Sequence, residues 1–218
     1  MLKKLFFLFL TLALVWACNS SSQKTAVRSA DLSQTSAKKI NRPPGKTPTA
    51  SYTPMSDTST AQYVEEQGIF ADTALNFKIW FPQKPVTQVE TLSVYGYSIP
   101  YYTFMYQQPE DFLYLVGVQV FPKQMLDKYK AKDILYSSVN GVIHTFHLQL
   151  AYTKPYVYNG LQAIEYKAHA GRLYLTGLNV LNGRYLYQLV MLMHDEYADD
   201  LAVHDFIGSF KLLNPSAL

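Results

Sequence analysis

The sequence predicts an α+β fold, an antiparallel sheet covered by helices on both faces. Three observations carry that expectation. Beyond Tyr63, runs of alternating apolar residues recur, bounded by Gly, Pro or Asn. Two of these runs, "FLYLVGVQVF" and "RYLYQLVMLM", are apolar on both faces, whereas a sheet wetted on one side alternates apolar with polar. Two other segments have helical spacing, one for each face of such a sheet.

The elements follow in chain order. "LNFKIWF" ends at Pro82, whose missing N–H suits a strand end. "VTQVETLSVY" and "YSIPYYTFMYQ" flank Gly96 as a hairpin, with Pro100 marking a bulge or an edge. After the loop "QPED", where Glu110 and Asp111 are a solvated turn pair, "FLYLVGVQVF" runs to Pro122. It sets Phe112, Tyr114, Val116, Val118 and Val120 on one face, Leu113, Leu115 and Phe121 on the other. "AKDILYSSVNGVIHTFH" aligns Leu135, Val139, Val142, Ile143 and Phe146 as a helix stripe. The strands "PYVYNG", "LQAIEYKAH", "RLYLTGLNVL" and "RYLYQLVMLM" come next, the last two joined at Asn182-Gly183. Both of those residues tolerate positive φ, as a type I′ hairpin turn requires. A second helix, "DEYADDLAVHDFIG", has Asp195 as N-cap, early acids that complement its dipole, and Gly208 as the residue past its end.

Residues 1–62 have a different character. Lys3 and Lys4 precede the apolar run Leu5 to Trp16, broken only by Thr11. A dozen residues is short of the roughly 20 that span a bilayer, and fits the core of an export signal. The only cysteine of the 218 residues, Cys18, follows at once. With Ala17 directly before it and Val15 two earlier, the segment resembles the bacterial lipoprotein signal. That resemblance implies cleavage after residue 17 and acylation of Cys18. It further implies residence in a Gram-negative outer membrane, since Asn19 is not the aspartate linked to inner-membrane retention; periplasmic and surface-facing orientations both stay open. The alternative is a plain secretory signal or an uncleaved anchor. Two or three acyl chains hold durably where one holds marginally.

From Cys18 to Gln62 the chain is rich in Ser, Thr, Pro and Lys, a composition too polar to offset its ordering entropy, and is expected as a disordered tether. Its Lys24, Arg28, Lys38, Lys39, Arg42 and Lys46 outnumber Asp31 and Asp57, a bias that is either solvated or turned toward anionic headgroups or cell-wall polymer. Residues 63–218 form the expected single domain. There eleven Lys/Arg meet fourteen Asp/Glu, so the basic balance of the whole chain belongs to the signal and tether. An acidic domain disfavours nucleic-acid binding, which depends on clustered cations.

A second resemblance rests on "FP" after the first strand, Asn159-Gly160 with Glu165, Arg184-Tyr185-Leu186-Tyr187 after a hairpin, and Ser209-Phe210-Lys211-Leu212 at the end. In that order they resemble the PsbP-like superfamily over about residues 74–213, a group with many bacterial envelope lipoproteins. The resemblance implies an α/β/α sandwich and non-enzymatic binding, adaptor or chaperone-like roles, and no shared ligand.

Catalytic and metal chemistry find little footing. His144 and His147 are three apart on the first helix, with His169, His194 and Glu165 as further donors, but zinc requires three or four converging ligands. A structural histidine beside an apolar stripe is the simpler reading of His147. "HDEYADD" has the charge for calcium without the glycine and terminal glutamate of an EF-hand loop. There is no G-x-S-x-G elbow and no phosphate-cradling glycine loop, and acylation leaves no thiol. Glu165, a carboxylate inside an apolar strand context with no visible partner, is read as a structural or turn-fixing group rather than a catalyst. We assign no catalytic residue, no metal site and no cofactor.

Tyrosine is the remaining oddity. The chain has eighteen, and "YGYSIPYYTFMY" gathers Tyr95, Tyr97, Tyr101, Tyr102, Phe104 and Tyr106. Strand packing explains such residues by default. The functional alternative is an exposed platform of Tyr97, Tyr101, Tyr102, Phe104 and Tyr106 for a partner protein, peptide or glycan. Pro100 places that ribbon near a sheet edge. The expectation is a non-enzymatic adaptor or accessory lipoprotein of an envelope protein complex, anchored in lipid by Cys18. A lipoprotein that binds a small ligand, glycan or cell-wall fragment is the alternative.

Overall fold

The computed structural model describes residues 60–108, 112–194 and 200–214. The signal, Cys18, nearly all of the tether, the Glu110-Asp111 turn and the Asp195 cap lie outside these residues.

Two antiparallel sheets make up the domain. The first is small, four strands in the order β1 (Ala61–Val64), β2 (Ile69–Asp72), β3 (Phe77–Trp80) and β11 (Lys211–Leu212). The second has seven strands: β4 (Val86–Val94), β5 (Tyr97–Gln108), β6 (Phe112–Val120), β7 (Gln149–Tyr158), β8 (Leu161–Ala170), β9 (Leu173–Asn182) and β10 (Tyr185–His194). Their spatial order is β4-β5-β6-β10-β9-β8-β7. Two meanders therefore meet at the β6–β10 seam. Helices α1 (Lys123–Lys128) and α2 (Ala131–Thr145) carry the chain between them, and α3 (Asp200–Ile207) leads into β11.

Period-2 alternation divides the large sheet into two cores. Under α2, Ile134, Leu135, Val139, Val142 and Ile143 pack on the face that carries Ile99, Leu115, Ile164 and Val190. On the other face Phe104, Val116, Tyr187 and Met191 meet Phe70, Phe77, Ile79 and Phe81 of the small sheet, with Phe206 of α3. The second core is an aromatic lattice; Phe104 stands 4.8 Å from Phe70 and 5.4 Å from Phe77, ring centroid to centroid.

This arrangement overturns the expected helix-covered sandwich, and with it the α/β/α architecture that the PsbP-like resemblance implies. Helices α1 and α2 cover one face. Most of the other is covered by the small sheet, with α3 as its one helix, and the described residues are mostly strand. The double-sided apolar pattern of β6 and β10 demands two covers, but does not say that both are helical. β1, β2, β11 and α1 were not expected, and β1 begins just inside the stretch assigned to the tether.

Hairpin turns follow the glycines. Tyr95-Gly96 has φ of 51° and 81°, and Asn159-Gly160 has 49° and 84°, the left-handed pair that a type I′ turn needs. The Asn182-Gly183 turn is corrected by one residue. Asn182 pairs with Tyr185 and is buried, so Gly183-Arg184 forms the turn, and of these only Gly183 has positive φ (53°). Arg184 sets the shift: its carbonyl accepts from Phe121 N at 2.8 Å, and its Nε donates to Phe121 O at 2.9 Å. Gly208 follows α3 as expected, with its N–H bonded to His204 O at 2.8 Å.

Candidate functional site

The tyrosine ribbon is not at an edge. β5 lies between β4 and β6, and Pro100 falls in the short overhang beyond β6, where no third strand requires its N–H. Alternation splits the five residues between the two faces. Tyr97 and Tyr101 turn toward α2; Tyr102, Phe104 and Tyr106 turn toward the small sheet. Tyr101 and Phe104 are core residues, 4% and 1% exposed, and the other three are part-buried. The five do not form one exposed platform.

Exposed apolar surface gathers on β7 instead. Leu150, Tyr152, Tyr156 and Val157 expose 46%, 40%, 45% and 69% of their area, while the other exposed large apolar side chains, Val64, Val86 and Leu201, are scattered. β7 is an edge strand with a bulge between Leu150 and Tyr152. Tyr158 pairs with Leu161 across the two-residue turn, so alternate residues from Val157 aim their backbone groups away from β8. Pro155 is one of them and has no N–H to offer there. The edge is thereby protected against strand addition, while its side chains stay reachable.

A groove flanks β7 on each face. Toward α2, about 410 Å³ lies between Lys132, Leu135 and Tyr136 of the helix and Pro155, Val157 and Gln162 of the strands. Toward α3, about 430 Å³ lies between Val203, His204 and Ile207 and Tyr156, Tyr158 and Glu165. Tyr156 borders both. Tyr158 closes the floor of the second by donating its hydroxyl hydrogen to Phe210 O.

A polar row crosses the sheet beneath α2. Gln88, Thr103, Gly117, Gln188 and Asn179 stand in register on β4, β5, β6, β10 and β9. Asn179 donates to Ser138 Oγ on α2 at 2.7 Å, and Gln188 accepts from Gln119 Nε2 at 3.0 Å. The rings of Tyr101 and Tyr166 lean over Gly117 and Gly177 from either side. Burial raises both phenol pKa values well above the ordinary range, so both stay neutral hydrogen-bonding groups. At the β4 end the row opens into a small pocket of about 30 Å³, lined by Glu90, Tyr101, Thr103, Thr145 and Gln188 among others, room enough for water. Part-burial raises the Glu90 carboxyl pKa. This residue escaped notice in the sequence, although Gln88 and Glu90 share strand parity with the buried Leu92 and Val94, a polar pair on a core face.

His144 and His147 are both exposed, and Glu165 is part-buried against the α3-side groove. Among the described residues, no group of three or more His, Cys, Asp or Glu is placed to hold a metal ion. No described helix is long and apolar enough to cross a membrane. No protein-family model, curated protein or solved structure matches the chain.

Proposed function

We propose that this chain is a membrane-anchored, non-enzymatic lipoprotein that serves as an adaptor or accessory subunit of an outer-membrane or periplasmic protein complex. Residues 1–17 direct export, Cys18 carries the lipid, the stretch before β1 forms the leash, and the domain from β1 onward meets the partner protein. The supporting observation is the concentration of four exposed apolar side chains on β7, between two grooves, whereas Val86 is the one exposed large apolar side chain among the described residues of the sheet's other strands. Aromatic anchors beside pockets are the usual nucleus of a protein interface. A strand edge blunted by Pro155 resists indiscriminate pairing and leaves side-chain recognition as the route to specificity. The test is crosslinking pull-down from membranes. Tyr156→Ser with Val157→Ser releases the partner while the melting temperature stays within about 2 °C, as for exposed substitutions. An unchanged partner set with the double variant refutes the β7 assignment.

The groove volumes favour one second reading, a ligand- or glycan-binding lipoprotein. Both fall within the roughly 300–1,000 Å³ typical of small-molecule sites. On that reading a cell-wall or glycan fragment raises the melting temperature by mass action, and Tyr156→Ser abolishes the rise.

A further inference from the structure

The opposite edge of the large sheet has the reverse design. β4, "VTQVETLSV", pairs only with β5 among the described residues, and contains neither Pro nor Lys. Val94 pairs with Tyr97 across a two-residue turn, so the even-numbered residues of β4 bond β5, and Thr87, Val89, Thr91 and Ser93 aim their amides outward. The opposition of Thr91 and Pro100 agrees, since Pro100 has no N–H to give at that position. Four outward amides spaced two apart match the ladder of an added strand.

Glu90 sits at the middle of this edge. It is the only charged residue of β4, turns toward the α2 side and lines the small pocket with Tyr101, Thr103, Thr145 and Gln188. No Lys or Arg lines that pocket, and among the described residues no ion pair involves Glu90. A strand added to β4 bonds to the odd-numbered residues, which places its residue facing Glu90 in a non-hydrogen-bonded pair, the closer kind, on the same face. A lysine or arginine there reaches the carboxylate directly.

We infer that the β4 edge receives an extended segment of a partner protein by strand addition, with a Lys or Arg of that segment paired to Glu90 at the pocket mouth. Backbone ladder bonds supply affinity and the Glu90 contact supplies register and selectivity. This goes beyond the β7 surface, which lies at the other end of the sheet, and stands or falls separately from it.

The test uses the full-length chain in detergent and a short, capped Thr/Val peptide with one central Lys. The expected result is saturable binding, with hydrogen-exchange protection gained at Thr87, Val89, Thr91 and Ser93. Replacing the peptide Lys by Met weakens binding by about tenfold, and Glu90→Gln in the protein erases that difference. Thr91→Pro removes an outward N–H without breaking a bond to β5, and abolishes binding while the fold remains. Equal binding of the Lys and Met peptides overturns the inference. So does full protection of these amides before any peptide is added, which would mean that the edge is taken by the chain's own residues or, where the mass doubles, by a second copy.

Discussion

The ring of Tyr101 on β5 fills the space that a side chain at Gly117 on β6 would need, a Cβ there standing 2.4 Å from the Tyr101 hydroxyl oxygen. Tyr166 bears the same relation to Gly177 on β9, at 2.3 Å from its ring. Two tyrosines thus lean toward β10 over two side-chain gaps, packing the floor beneath α2. Gly117→Ala is expected to destabilise the domain by about 2 kcal/mol through overpacking. In denaturant titrations, Tyr101→Leu combined with Gly117→Ala should cost less than the two single changes added together. Strict additivity would show that the two residues do not compete for this space.

Asp72 holds the turn between β2 and β3. Its Oδ1 accepts from Ala74 N and Leu75 N at 3.0 Å each and from Thr60 Oγ1 at 2.9 Å, with the side chain buried. Asp72→Ala strands these donors and is expected to cost about 2–3 kcal/mol; Asp72→Asn keeps an acceptor and should cost about half as much. Urea unfolding of both variants separates them, and equal losses would contradict the hydrogen-bond account.

Glu90 gives the domain a pH signature. Burial raises its pKa in the folded state, so the native protein holds the proton more tightly than the unfolded chain does. Its contribution to stability is therefore fully favourable below the ordinary carboxylate range and declines as pH rises through the raised value. At pH 7 Glu90→Gln should melt about 1–2 °C higher than the parent, a modest gain because the group is part-exposed, and the gap should close toward pH 4. A gap that widens on acidification would reverse the assigned sign.

The longer strands and helix α2 were legible in the residues, the sheet that covers the second face was not, and the failures have physical causes. Helix α2 and strands β4, β5, β6, β8, β9 and β10 were foreseen because each has enough turns or alternations for a period to show. β1, β2 and β11 have four, four and two residues, too few for any period, and they form because Tyr63, Phe70 and Leu212 have the large sheet to pack against. The Gly183-Arg184 turn was misplaced by one because its register is set by a contact with distant Phe121. Tyrosine density misled about the site, since Tyr101 and Phe104 serve the two cores. Pro155 and the polar pair Gln88 and Glu90 were the available signals for the two sheet edges, one residue in β7 and two in β4, each within an otherwise ordinary strand.

The proposed anchoring rests on Cys18. Radiolabelled palmitate is expected to enter the mature chain, and Cys18→Ser should move the protein from the membrane to the soluble fraction, because on this proposal acyl chains hold it there. Membrane fractionation unchanged by the serine would remove the lipid from the account.

The central claim, that β7 is the face turned to a partner protein, is most directly tested by a photoreactive amino acid at Val157, which exposes 69% of its area, against a control at exposed Lys123 on α1. The account predicts one discrete envelope-protein adduct from position 157 in living cells, lost when Tyr156 is changed to Ser, and none from position 123. Identical adducts from both positions, or none from 157 in cells where the protein is abundant, would contradict it.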